Sequence, residues 1–312
     1  MMREKNIPLF ALESREPITN FDVIAFTLQY ELSYTNILNM LDLANVPILR
    51  TERKLDDPFI LVGGPCAYNV EPMADFVDIV VLGEGEEVNL EILNAYKEWK
   101  KNKTTREDFL YQISSIEGVY IPSFYDVTYN EDNTVKEVVP NRENIPSKPH
   151  KRIIKDVENV PYPEKLIVPF IDTVHNRVVL ELFRGCTRGC RFCQAGMIYR
   201  PIREKSVERL KEIVDKLVKS TGYDEISLSS LSTSDYSKLS ELTDYLVDEY
   251  ASNNIGISLP SLRLDNFSME IAEKIQQVRK SGLTFAPEAG TQRLRDVINK
   301  GVSEEDLQNA TK

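Results

Sequence analysis

Three cysteines crowded into one short run, RGCTRGCRFC over 184–193, constrain this chain more than any other feature. Cys186, Cys190 and Cys193 follow a C-x3-C-x2-C spacing. Iron–sulfur clusters are held by cysteine thiolates, and three such ligands on a four-iron cluster leave one iron without a protein ligand. An open coordination position separates a centre that does chemistry from one that only fixes a fold.

The competing assignment is a non-catalytic iron–sulfur or zinc module used for structure or electron transfer. A structural zinc site needs a fourth ligand, and the histidines are His150 and His175. An odd trio also fits poorly with a disulfide framework. The fourth cysteine, Cys66, has no cysteine neighbour in sequence and reads as a small buried hydrophobe. No run of about 18 apolar residues suggests a membrane span, and the start, MMREKNIPLF, has no signal-peptide core. Few cysteines and no leader point to a reducing cytoplasm. A net charge of 38 − 49 = −11 argues against broad nucleic-acid binding.

Cys186, Cys190 and Cys193, with aromatic Phe192 before the last and a strand leading in, resemble the signature of the radical S-adenosylmethionine (radical SAM) superfamily. The longer string RGCTRGCRFCQAGMIYRPIRE is similar to a branch whose members carry a cobalamin-domain-like segment in front. The resemblance implies a [4Fe-4S] cluster, S-adenosylmethionine on its open iron, and an adenosyl radical that takes hydrogen from a substrate. It also implies a reductant such as flavodoxin or ferredoxin. The substrate stays open, with RNA, a cofactor precursor, lipid and peptide all compatible.

In the first part, Pro8–Leu12, Phe21–Thr27, Phe59–Gly63 and Asp78–Gly83 are continuous apolar runs that read as strands buried on both faces of a parallel sheet. Helical patterns lie between them at Tyr34–Ala44 and Glu87–Trp99. The alternation predicts an α/β, doubly wound parallel sheet over 1–100. The glycines after its strands, Gly63-Gly64 and Gly83-x-Gly85, read as turns, with a ligand contact as the alternative. The stretch GGPCAYNVEPMADFVDIVVLGEGEE resembles the end of a cobalamin-binding domain. The D-x-H-x-x-G ligand motif is missing, so cobalamin lacks support here and the sheet is a partial one. Residues 101–175 read as a connector: a helix at Thr105–Ile116, a hairpin turning at Asn130–Asn133, then a proline-rich extended stretch.

From 176 on, strands are expected at Arg177–Phe183, Glu225–Ser230, Ile255–Leu259 and Leu283–Ala286. Helices are expected at Ser206–Ser220, Ser237–Tyr250, Ser268–Lys280 and Thr291–Asn299. About four strand–helix units give part of a parallel barrel, with chemistry at the carboxyl ends of its strands. Radical SAM cores have six, so the resemblance implies a partial (β/α)6 barrel and a chain that is an internal piece of a longer protein. An incomplete barrel would leave the site open to water, and this stretch alone could be inactive. Arg184, Arg188, Arg191, Arg200, Arg203, Lys205 and Arg209 read as a basic island around the cysteines, opposed by Glu204 and Glu208.

Matched to the family strand end by strand end, the usual G-G-E segment is replaced by a Ser229–Thr233 stretch. There Ser229 and Ser230 would meet the methionine amine through hydroxyl and backbone. After the third strand, Ser261 or Arg263 could reach the ligand. Glu288 falls near the ribose and cluster, and Lys300 where a basic residue pairs with the S-adenosylmethionine carboxylate. A lysine at a helix end also has a bland explanation in the helix dipole.

Overall fold

The computed structural model describes residues 1–102, 104–171, 173–266, 268–279 and 282–311, and divides into two compact units, 1–154 and 155–312. The connector expected at 101–175 is split between them: its helix, its hairpin and the prolines up to Pro149 belong to the first unit, Pro161, Pro163 and Pro169 to the second.

The first unit is built on β1 (Val23–Thr27), β2 (Phe59–Gly63) and β3 (Ile79–Val81), which pair in parallel and in sequence order. α1 (Tyr34–Leu43) connects β1 to β2. α2 (Gly85–Asn102) and α3 (Arg106–Ile113) follow β3. β4 (Val119–Tyr120) then closes the sheet antiparallel to β3, a pairing the sequence pattern did not disclose. The unit is therefore an α/β sheet whose parallel strands run one way. The Pro8–Leu12 strand is not formed: Phe10 makes a single bridge to Pro17, and proline, having no N–H, cannot extend a ladder. β2 and β3 are almost wholly buried, but β1 is an edge strand and half-exposed, so burial on both faces holds only for the centre.

Four aromatic rings, Phe59, Tyr96, Trp99 and Phe109, pack at centroid distances of 4.8 to 6.1 Å where α2 and α3 cover the sheet. Each such pair adds about 0.5–1.5 kcal/mol beyond the area it buries. Cys66 is buried in the same core, as expected. Gly83 has φ +105°, and a Cβ there would lie 2.1 Å from the Arg152 carbonyl oxygen. The chain's own 152–154 segment docks here: Arg152 N–H donates to Leu82 O, Glu84 N–H to Arg152 O, and Ile154 N–H to the Glu84 carboxylate. Gly83 thus stands at a close approach of the chain to itself, and it also lines a recess on the sheet. β5 (Tyr125–Tyr129) and β6 (Val135–Pro140) form the expected hairpin.

The second unit starts with β7 (Val178–Glu181). Next come β8 (Phe183–Arg184), α4 (Ala195–Ile198), β9 (Arg203–Glu204), α5 (Val207–Thr221) and β10 (Glu225–Ser229). α6 (Leu239–Tyr250), β11 (Gly256–Ser258), α7 (Met269–Val278), α8 (Gln292–Val297) and α9 (Glu304–Thr311) complete it. β7, β10 and β11 are parallel neighbours in that order, so β7-α5-β10-α6-β11 is a run of right-sized βαβ units. α5 forms for local reasons. Val207, Leu210, Ile213, Val214 and Leu217 make one buried face, the Ser206 hydroxyl accepts from Arg209 N–H, and Gly222 ends it in the left-handed region. The other helices match the expected ranges within a residue or two at most ends, although Lys280 lies outside the described residues.

The fourth barrel strand is a correction. Leu283 and Phe285 are half-buried while Thr284 and Ala286 are exposed, yet Leu283–Ala286 pairs with no strand among the described residues. Alternation in sequence records which side chains face inward; it says nothing of whether a partner strand stands alongside. The described barrel portion is thus three strands, not four.

Candidate metal centre

The cysteine loop spans the antiparallel pair β8–β9, so its two ends are fixed by backbone hydrogen bonding before any side chain is considered. Lys205 N–H donates to Leu182 O at the same neck. Gly185 opens the loop at φ +100°, where a Cβ would stand 2.4 Å from Pro201 O and 2.8 Å from Tyr199 O. Only glycine lets the outgoing and returning strands approach this closely.

Beneath the loop, Lys205 is almost fully buried and donates to the Glu181 carboxylate at 2.6 Å and to Glu181 O at 3.1 Å. Arg184 Nε donates to the same carboxylate at 3.0 Å. Burial depresses the Lys205 ammonium against the pull of Glu181. Burial pushes the Glu181 carboxyl up, but Arg184 and Lys205 together hold it below its ordinary value.

Above, Cys186, Cys190 and Cys193 are free and half-buried, and Cys193 N–H turns back onto Cys190 O. Three remote segments grip the loop. Arg188 forms a two-armed pair with Asp235, Nε lying 2.8 Å from Oδ2, and reaches Asp265 at 3.0 Å. Asn299 donates to Gly189 O at 2.9 Å and to Arg188 O at 3.3 Å. Arg191 N–H donates to Ile298 O and its guanidinium to Val297 O. The residues after α8 and those beyond β10 and β11 therefore set the loop's shape.

The expected basic island is corrected by this geometry. Glu181 takes Arg184 and Lys205, Asp235 and Asp265 take Arg188, and Glu212 takes Arg209. Glu181 and Glu212 lie three residues from Arg184 and Arg209, but Asp235 and Asp265 meet Arg188 from far along the chain, where a count of sequence neighbours could not find them.

Of the other expected contacts, Arg263 reaches Cys190 and bonds Lys300 O, and Lys300 in turn meets Glu288 and the Phe192 ring. Arg263 Nη1 lies 4.0 Å from Cys190 Sγ. Lys300 Nζ is 3.2 Å from Glu288 and 5.9 Å from the Phe192 ring centroid. Ser230 hydrogen-bonds Thr233 through their hydroxyls at 3.1 Å, and Ser229 ends β10 half-buried. The Ser261 side is exposed, and its carbonyl accepts from Thr233 N–H. Ser261, Glu288 and Asn299 all have positive φ, near +60°, a conformation that costs non-glycine residues energy and gathers at functional sites. Asp235, Asp265 and Asn299 were not singled out from sequence. Each looks like an ordinary polar loop residue there, and nothing local marks it.

The donor set fits an iron–sulfur cluster: three free thiols on one loop, partly shielded, with a cation beside one sulfur. Among the described residues no three His, Cys, Asp or Glu side chains converge on one ion.

An acid-side prediction follows from Asp235. Burial raises its carboxyl, but hydrogen bonds from Arg188 and Asn266 bring it below the ordinary aspartate value of about 3.9. The folded pKa is depressed, so its contribution is whole above about 3.9 and fades as pH falls through the folded value. Urea midpoints measured from pH 6 down to pH 3 should fall more steeply for the wild type than for Asp235→Asn.

The first unit has its own recess, about 420 Å³, on the face of β1–β3. Ala25, Thr27, Leu61, Gly63, Asn89 and Leu93 are among its walls, and no histidine is.

Residues 1–122 match the family profile described as "Radical SAM proteins, N-terminal" and residues 180–312 the one described as "Radical SAM superfamily". "Uncharacterized protein MJ0966" of Methanocaldococcus jannaschii is 31% identical over 312 residues, covering 99% of this chain and 59% of that protein. A second protein of that organism, provisionally named methylthiotransferase MJ0865, is 26% identical over 247 residues, covering 71% of this chain and 53% of it. The chain thus spans between about half and three fifths of the curated relatives it matches. Among solved structures, the radical S-adenosylmethionine methyltransferase TsrM from Kitasatospora setae, with cobalamin and a [4Fe-4S] cluster bound, superposes with TM-score 0.56 at 12% identity. It covers 92% of this chain and 54% of that one, a likeness of fold.

Proposed function

This chain belongs to the radical SAM superfamily, and we propose that Cys186, Cys190 and Cys193 hold a [4Fe-4S] cluster at which S-adenosylmethionine is reductively cleaved. Bound there, the cluster and its ligand would supply one electron to break a sulfur–carbon bond and an adenosyl radical to take hydrogen from a substrate. The observation that carries this reading is the set of three free, half-buried thiols on a loop gripped from both sides.

The chain's own residues divide the remaining work. Glu181, Lys205 and Arg184 fix the neck of the loop, while Arg188 and Asn299 fix its crown. Lys300, now beside Glu288, is a cation that could turn to a ligand carboxylate. Ser229 and Ser230 stand at the carboxyl end of β10, where hydroxyl and backbone groups can meet an amine. Phe192, largely exposed, offers an apolar edge beside the cysteines. The electron would come from a small reductant such as flavodoxin or ferredoxin. No helix among the described residues is long and apolar enough to cross a membrane.

Methyl transfer with a corrinoid is a second reading, favoured by the recess on the first unit's sheet. Among the described residues, no histidine lines that recess, so it offers such a group no imidazole.

Reconstituted anaerobically, reduced with dithionite and given S-adenosylmethionine, the chain is expected to form 5′-deoxyadenosine, and Cys190→Ala none. A structural or electron-transfer module would return the S-adenosylmethionine intact, and that result would overturn the reading.

A further inference from the structure

Arg263 is one of the few charged residues buried in this chain, at 8% exposure. Burying a guanidinium costs energy unless every direction is paired. Nε and Nη2 lie 2.8 and 3.0 Å from the two Asp265 oxygens, and Nη2 also donates to Lys300 O at 2.6 Å. That leaves Nη1, which points at Cys190 Sγ from 4.0 Å. Asp265 is shared with Arg188, so it does not neutralise Arg263 alone. A guanidinium keeps its charge throughout the ordinary pH range, so the buried group stays a cation.

A neutral thiol is a poor partner for a buried cation; a thiolate is a good one. Among the described residues, Cys190 is the cysteine whose sulfur meets a side-chain donor. Outer groups that donate to ligand atoms orient them and tune the metal, and hydrogen bonds to cluster sulfurs help set the reduction potential.

We infer that Arg263 is a positioning residue for Cys190: its Nη1–H donates to that sulfur, distinguishes Cys190 from Cys186 and Cys193, and raises the potential of a cluster bound by the three. This rests on the three-cysteine reading above. The bland alternative is that Arg263 only braces the turn after β11 against Lys300, which would leave the potential unmoved.

The test is a redox titration, followed by electron paramagnetic resonance, of reconstituted wild type, Arg263→Lys, Arg263→Gln and Arg263→Met. Lysine keeps the charge, glutamine keeps a donor for Lys300 O, and methionine keeps neither. With full iron loading, the glutamine and methionine variants should titrate at lower potential with altered g values, and lysine should stay close to wild type. Equal potentials in all four overturn the inference. If glutamine and methionine fail to load while lysine loads at the wild-type potential, the inference stands. If all three fail to load in chains that remain folded by circular dichroism, Arg263 is a brace and the inference falls. Failure of the wild type itself to form a four-iron cluster removes the cysteine reading instead, and this inference with it.

Discussion

Gly185→Ala is expected to lose nearly all iron loading and to destabilise the second unit by about 3 kcal/mol. A side chain at φ +100° costs of order 1–3 kcal/mol by itself. The added Cβ also meets Pro201 O at 2.4 Å and Pro201 C and Tyr199 O at 2.8 Å, all backbone atoms that no rotamer change can clear. The returning strand must move, and with it the β8–β9 pairing that closes the neck. Gly189→Ala is the internal control. At φ +70° it shares the backbone strain, but its nearest neighbour would be the Asn299 amide at 3.4 Å, the end of a side chain rather than backbone, so that variant should retain more iron. Iron per chain after anaerobic reconstitution, with urea midpoints for the apo chains, measures both effects. Full loading in Gly185→Ala would contradict the role given to the neck.

Removing Glu181 should be nearly as damaging. Lys205 is almost fully buried, and its ammonium has the Glu181 carboxylate as its ionic partner at 2.6 Å. Deleting one member of a buried pair leaves an uncompensated charge and costs about 3–5 kcal/mol; with Glu181 partly exposed, the lower end is expected. Glu181→Leu should therefore lose about 3 kcal/mol, read as a fall in the urea midpoint of the chain. The Glu181→Leu, Lys205→Met double variant should recover most of it, because exchanging both charges for apolar groups is often close to neutral. A double variant no better than the single would show that the pair does not act as a unit.

The parts of this molecule legible in the sequence are those that physics settles locally. α5 announces itself through a capping serine, an apolar face and a terminal glycine. The C-x3-C-x2-C trio fixes its own donor chemistry, and β2 and β3 read as buried because their side chains are apolar without interruption. What stayed hidden depends on partners far along the chain. Asp235 and Asp265 meet Arg188 across 47 and 77 residues. Asn299 reaches Gly189 across 110, and an asparagine at a helix end carries no mark of that errand. Leu283–Ala286 has the period of a strand but not the neighbour, and Pro8–Leu12 has the hydrophobicity but a proline opposite its one bridge. Arg188, one of the seven basic residues near the cysteines, looked opposed by Glu204 and Glu208 alone for the same reason.

This also explains how the site is organised. The thiols sit on a loop that has little regular structure of its own, and the elements around it do the shaping. A short antiparallel neck holds its base, an acid pair beyond β10 and β11 holds Arg188, and the turn after α8 holds the loop's crown.

The most direct test is the iron and sulfide content of the anaerobically reconstituted chain, with each of Cys186, Cys190 and Cys193 changed to alanine in turn. The account expects about four irons and four sulfides per chain in the wild type, the content of one cubane, and collapse of that content in every variant. Four irons retained in Cys190→Ala, or a wild type that takes up a single zinc and no sulfide, would contradict it.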